Sequence, residues 1–161
     1  QVQFRRGTTS QHGSFTGAVG EVTVDTDKDT VVVHDGSQAG GFAIPNLKTA
    51  QEFTKTQNFN ATTLSDASTI AWDASSNQVA KVTLGGNRIL GAATNQVDGA
   101  VYVLTVIQDG SGSRTLSFNS NYKFTGGSAP TLSTAASAKD VIVFLSNGTN
   151  MLEIGRSLNL T

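Results

Sequence analysis

Short runs of β-branched and aliphatic residues, each closed by a turn of Gly, Asn, Asp or Ser, recur along most of the chain. That rhythm restricts the fold more than any other feature. Near the start, Val22 and Val24 alternate with polar neighbours, Asp27-Lys28-Asp29 makes a turn, and Thr30-Val31-Val32-Val33-His34 returns. β-branched residues at period two on both sides of an Asp-rich turn predict a hairpin. Further on, residues 79–84 are expected to meet 88–90 across Gly85-Gly86-Asn87. Residues 100–108 are expected to meet 114–118 across 109–113, and 140–145 to meet 151–154 across 146–150. The expectation is an all-β chain whose second part is an antiparallel β-sandwich.

Composition agrees with that class. Charged residues make up 14% of the 161, against about 25% in an average domain. A surface that is polar but uncharged suits a turn-rich β protein better than a helical bundle, whose exposed faces carry Lys and Glu. The net charge is −1, and the basic residues are scattered apart from Arg5-Arg6. Phosphate backbones demand clustered cations, so nucleic acid is not an expected partner. No apolar run approaches the roughly 18 residues that span a bilayer, so membrane insertion is not expected, and no signal peptide is visible. Gln1 is not an initiating residue, so the chain as given is expected to lack its start.

Three segments follow: a module at 1–45, a connector at 46–66 and the sandwich at 67–161. The connector holds the one candidate helix, with Asn46 as cap and Leu47, Ala50 and Phe53 at helical spacing. The first module is small. Below about 40–45 residues a chain seldom buries enough apolar surface to fold alone without disulfides, metal or partner chains. The sequence has no cysteine and no evident metal cluster, which leaves oligomerisation as its support.

The residues that could carry chemistry are few. Asp25, Asp27, Asp29 and Asp35 invite a calcium-loop reading, but the Gly and Glu that an EF-type loop requires are replaced by Thr30 and Gly36, which favours a solvated turn. Glu21, Glu52 and Glu153 lie in three different segments and form no evident acid pair for glycoside hydrolysis. A long solenoid repeat of the kind polysaccharide-cleaving spikes use is not apparent. His12 and His34 suit ordinary hydrogen bonds, although a threefold axis could gather three copies of one of them around a metal. Neither a nucleophile elbow nor a Walker loop is present. Trp72, Tyr102, Tyr122 and Phe124 can stack on sugar rings where exposed and otherwise belong to a core. Arg5-Arg6 suits an acidic partner or a solvated terminus. No enzyme activity, cofactor or metal is expected.

Two resemblances add to this reading. Residues 4–9, 15–17, 20–28, 32–36 and 40–42 resemble the N-terminal module of bacteriophage tropism determinants and tail fibres. That module is a trimeric β-prism-like unit that anchors its protein to the virion. The resemblance therefore implies a homotrimer, with trimer or docking contacts expected at Phe4, Arg5, Arg6, Phe15, Val22, Val24, Val31 and Val33. Trp72-Asp73, residues 83–88, 108–116, 126–132, Asp140-Val141 and residues 146–151 resemble a recurrent phage virion β-domain found in tail fibres, spikes and head-associated proteins.

Together these imply a non-enzymatic structural protein on the virion surface, assembled in the host cytoplasm. The chain is short and lacks a recognisable tip domain, which favours capsid decoration as a cement or head-fibre protein. The alternative is a short tail fibre, receptor-binding protein or tail adaptor, and a host polysaccharide depolymerase comes last. Expected partners are further copies of the chain, capsid or tail proteins and, through Trp72, Tyr102 and Tyr122, a host surface glycan.

Overall fold

The computed structural model describes residues 3–45, 55–76 and 78–160. The chain forms two compact units, Gln1–Gln57 and Asn58–Thr161, and among the described residues the fold is almost entirely β. The helix expected over Leu47, Ala50 and Phe53 lies outside the described residues.

The first unit contains β1 (Arg5–Gly7), α1 (Thr9–Gly13), β2 (Val22–Asp25), β3 (Thr30–Val33) and β4 (Phe42–Ala43). Its four strands make one sheet in the order β1-β2-β3-β4. The expected hairpin is present, with Val22 opposite Val33 and Asp25 opposite Thr30, while β1 runs parallel to β2. Asp25 builds the turn rather than a cation loop. One carboxylate oxygen accepts the N–H groups of Asp27 and Lys28 and the other accepts the Thr9 hydroxyl. Helix α1 was not anticipated. It is only five residues long, too short to persist on propensity. A capping box holds it: the Thr8 hydroxyl accepts from Gln11 N–H, and the Gln11 carboxamide accepts from Thr8 N–H.

The second unit contains β5 (Thr62–Thr63), β6 (Thr69–Ile70), β7 (Val79–Leu84), β8 (Arg88–Leu90), β9 (Val101–Gln108), β10 (Leu116–Phe118), β11 (Tyr122–Lys123), β12 (Lys139–Ser146) and β13 (Met151–Leu160). They form a six-stranded sheet, β11-β13-β12-β9-β7-β5, and a three-stranded sheet, β10-β8-β6. Thr62, Thr63, Leu64 and Asp66, expected in the connector, belong to this unit: β5 pairs with β7, Leu64 is in the core and Asp66 binds Arg88.

Pairing departs from the sequence expectation in an informative way. The hairpin of β12 with β13 forms as expected, and β9 with β12 is also antiparallel. The other two expected hairpins do not exist, because β7 and β8 lie in different sheets, as do β9 and β10. Their turns carry the chain from one sheet to the other. Asp66 fastens the first by accepting from Gly85 N–H and from the Arg88 guanidinium. Gln108 fastens the second, its carboxamide bonding both backbone groups of Arg114. Asp109 adds contacts to Ser111 N–H, Gly112 N–H and the Arg114 guanidinium. Gly112, at φ +69°, is required there, since a Cβ would fall 2.4 Å from the Thr134 carbonyl oxygen.

The result is a stack of three rungs, β5–β6, β7–β8 and β9–β10, each two strands joined by such a turn. β5, β7 and β9 run parallel in the wide sheet, and β6, β8 and β10 run parallel in the narrow one. The antiparallel part of the unit is confined to the pairings that β12 makes with β9 and β13. Between the sheets lies one apolar core, in which Ile70, Leu84, Leu90, Leu104, Ile142, Phe144 and Met151 are fully buried.

Candidate assembly surface

The two faces of the first unit's sheet have reversed polarity. Cross-strand partners share a face, so the registers place Arg6, Val22, Val24, Val31, Val33 and Phe42 together. Ile44 follows Phe42 at period two. Val31 is 41% exposed, Val33 36%, Phe42 56% and Ile44 51%, while Val22 and Val24 are half-buried. This apolar face is uncovered within its own unit. Phe4, just before β1, is also exposed.

The opposite face is covered by α1 and the flanking loops, and its centre is polar. Thr23, Asp25, His12 and His34 are all buried there. Their contacts fix where the protons must sit. Nδ1 of His12 lies 3.0 Å from the Thr8 carbonyl oxygen, which can only accept, so Nδ1 donates. Gly17 N–H, which can only donate, reaches Nδ1 of His34 at 3.3 Å, so that nitrogen accepts. Nε2 of His34 is then left to donate to the Thr23 hydroxyl at 2.9 Å, and that hydroxyl donates in turn to Nε2 of His12 at 2.8 Å. One hydroxyl thus joins two imidazoles in opposite tautomers, and no ring nitrogen is left over. The loop closes tightly on this network, for a Cβ at Gly17 would lie 2.6 Å from the His34 ring.

The aromatic and cationic groups continue it. Phe15 meets the His34 ring edge-on at 5.1 Å, and the Arg5 guanidinium lies over Phe15 at 4.8 Å from its centroid. Arg5 also pairs with Glu21 at 3.0 Å. For Asp25, burial opposes ionisation, yet the Thr9 hydroxyl and the N–H groups of Lys28 and Asp27 together hold the carboxyl below its ordinary range.

The expected contact residues therefore divide. Arg6, Val22, Val24, Val31 and Val33 share the open face, whereas Arg5 and Phe15 stand on the covered one. A histidine metal site on a threefold axis is contradicted, because both imidazoles are buried and all four nitrogens are engaged. The glycan role for Trp72, Tyr102 and Tyr122 is corrected as well. Their rings are 1%, 1% and 4% exposed and pack in the core, Trp72 against Tyr102 at 6.0 Å and Tyr122 against Phe144 at 5.4 Å. Burial also pushes the Tyr122 hydroxyl well above its ordinary pKa. Sequence reading missed Gln11 and Thr23. Gln11 had a visible signal, the Thr8-Thr9-Ser10-Gln11 capping pattern, whereas Thr23 is one threonine among many.

The model of the phage tail fibre C-terminal domain matches residues 70–151, slightly more than half of the chain, from the end of β6 to the first residue of β13. The chain belongs to that family. The major tropism determinant N-terminal domain matches residues 2–38, which hold β1, β2 and β3 of the first unit's sheet. The tail fiber receptor-binding protein of Bordetella phage BPP-1 is 40% identical over 152 residues, which cover 87% of this chain and 35% of that protein. The chain thus spans about a third of the relative it matches. Among solved structures, the Major Tropism Determinant U1 Variant is 28% identical, with 94% of this chain and 42% of that one covered, at a TM-score of 0.31. The I1 Variant is 29% identical at 0.30. Scores this low carry no argument about the fold. The matches place the chain on the surface of the phage virion as a protein of the tail-fibre and tropism-determinant type. They back the tail-fibre alternative better than the preference for capsid decoration.

Proposed function

We propose that the chain is a non-enzymatic part of a homotrimeric tail fibre. Its first unit trimerises and attaches to the tail, and its second unit serves the receptor-binding end. One observation carries this reading: the first unit buries a polar network and leaves its valine face open. Soluble sheets do the reverse, turning the apolar side inward. A partner that covers Val22, Val24, Val31, Val33 and Phe42 corrects the inversion, and three copies of one small sheet around an axis do so symmetrically. The name of the Bordetella phage relative supports the receptor-binding role, which is assigned here to the assembled fibre and to no particular side chain.

Gold-labelled antibody against the chain, applied to intact particles, tests the location. Label at the tail is expected, and label over the head would restore the decoration reading. Sedimentation of the purified chain tests the assembly, with a trimer expected and a monomer at micromolar concentration sinking the trimer.

A further inference from the structure

The turn between β12 and β13 holds the sequence's one Asn-Gly pair, Asn147-Gly148. Asparagine is a heat-labile residue, and most so before glycine, which has no side chain to hinder attack by its own nitrogen. In that reaction the Gly148 nitrogen loses its proton to solvent base and attacks Cγ of Asn147. A C–N bond forms, the Cγ–Nδ2 bond breaks and ammonia leaves with the proton. Water then opens the cyclic imide to aspartate or to isoaspartate, in which the backbone runs through the side chain.

Both residues are exposed, so water reaches them. The fold nevertheless engages both reacting groups. Gly148 N–H donates to the Ser146 hydroxyl oxygen at 3.0 Å, which ties up the proton that has to leave. The Asn147 carboxamide oxygen accepts Asn150 N–H at 2.7 Å and Thr149 N–H at 3.2 Å, which fixes the rotation of the group under attack. Asn147 N–H bonds the Asn150 carbonyl oxygen, and the Gln96 carboxamide braces the Thr149 carbonyl. Ser146 itself is 2% exposed, so water does not compete for its hydroxyl.

We infer that Asn147 is a latent deamidation site which the Ser146 hydroxyl keeps silent in the folded chain. Attack awaits opening of the turn, and its rate follows the open population. Isoaspartate there adds a methylene to the backbone beside the Ser146–Met151 pair and loosens the β12–β13 hairpin at its turn. A second fragile bond lies against the same residue. In Asp98-Gly99, the Gly99 N–H donates to the Ser146 carbonyl oxygen at 2.9 Å. Replacing the Ser146 side chain therefore removes the first restraint and leaves the second.

The test incubates the full chain in warm, mildly alkaline buffer, folded and in guanidinium chloride. Conversion at Asn147 is read by mass on the tryptic peptide of residues 140–156, and isomerisation at Asp98 by chromatography of its own peptide. Asn147 should convert readily in denaturant and hardly at all in the folded parent. Ser146→Ala should speed the folded chain roughly fivefold, the rate equivalent of one net hydrogen bond, with Asp98 unchanged. A folded parent as fast as the denatured chain would overturn the protection. Ser146→Ala no faster than the parent would overturn the role of the hydroxyl. A parallel rise at Asp98 would mean that the whole corner had loosened, and would overturn that role too.

Discussion

The two units solve the same problem, covering a β-sheet, with opposite materials. In the second unit the space between the sheets is filled by aliphatic and aromatic side chains, several wholly out of solvent. In the first, the covered space holds Thr23, Asp25, His12 and His34 beside Val32, while Val22, Val24, Val31 and Val33 look outward. A dry core depends on volume and tolerates rearrangement, whereas a buried polar network holds only while every partner is present. The second unit fills its own core, although Ile154, Leu158 and Leu160 of β13 stay exposed, whereas the first has an open apolar sheet face.

Substitutions in each unit can break or sharpen that contrast. Phe144→Ala should have the largest effect, about 3–5 kcal/mol as for other buried phenylalanines. Amide exchange in urea should show the loss in the second unit only, and an equal loss in the first would refute their independence. Next comes Thr23→Val, which keeps the shape but strands one nitrogen on each imidazole, at about 1–3 kcal/mol per orphaned group. Thr23→Ser should recover most of it, and a valine variant as stable as the parent would show that packing, not the hydroxyl, holds the loop.

Val31→Lys with Val33→Lys should cost roughly 1.5–3 kcal/mol per side chain of the burial gained on assembly. In sedimentation the trimer should fall apart while the His12 and Thr23 amides stay protected. A trimer that survives both lysines would move the contact elsewhere.

Acid should have the smallest effect. Hydrogen bonds from Arg88 and from Arg114 hold Asp66 and Asp109 below the ordinary carboxylate range, and Asp25 is shifted the same way. Folding stability from such groups is present above the unfolded carboxyl pKa of about 3.9 and is lost as pH falls below it. Asp66 and Asp109 are exposed enough for solvent to screen them. Urea midpoints should therefore decline only modestly between pH 5 and pH 3, and a rise on acidification would contradict the assignment.

The sequence carried the strands and two of the four expected hairpins. β2–β3 and β12–β13 were legible because alternation and a turn suffice when both strands stay in one sheet. At Gly85-Gly86-Asn87 and at residues 109–113 the same signal misled, since a turn announces a reversal without saying whether the strands pair. At the first of these the deciding group is Asp66, a residue distant in sequence. At the second it is the Gln108 side chain, which occupies the Arg114 backbone groups that a ladder would use. At the candidate surface, the valines were readable from period two. Their exposure was not, because a β-branched alternation looks the same whether its apolar side faces a core or a partner. The aromatic trio failed for the same reason, as ring identity does not report depth.

The parallel rungs also bear on how such a chain changes size. Each rung lies on the one before it in register, Thr62 beside Ala80 beside Leu104, so a whole rung can be gained or lost with the ladder resumed at the next strand.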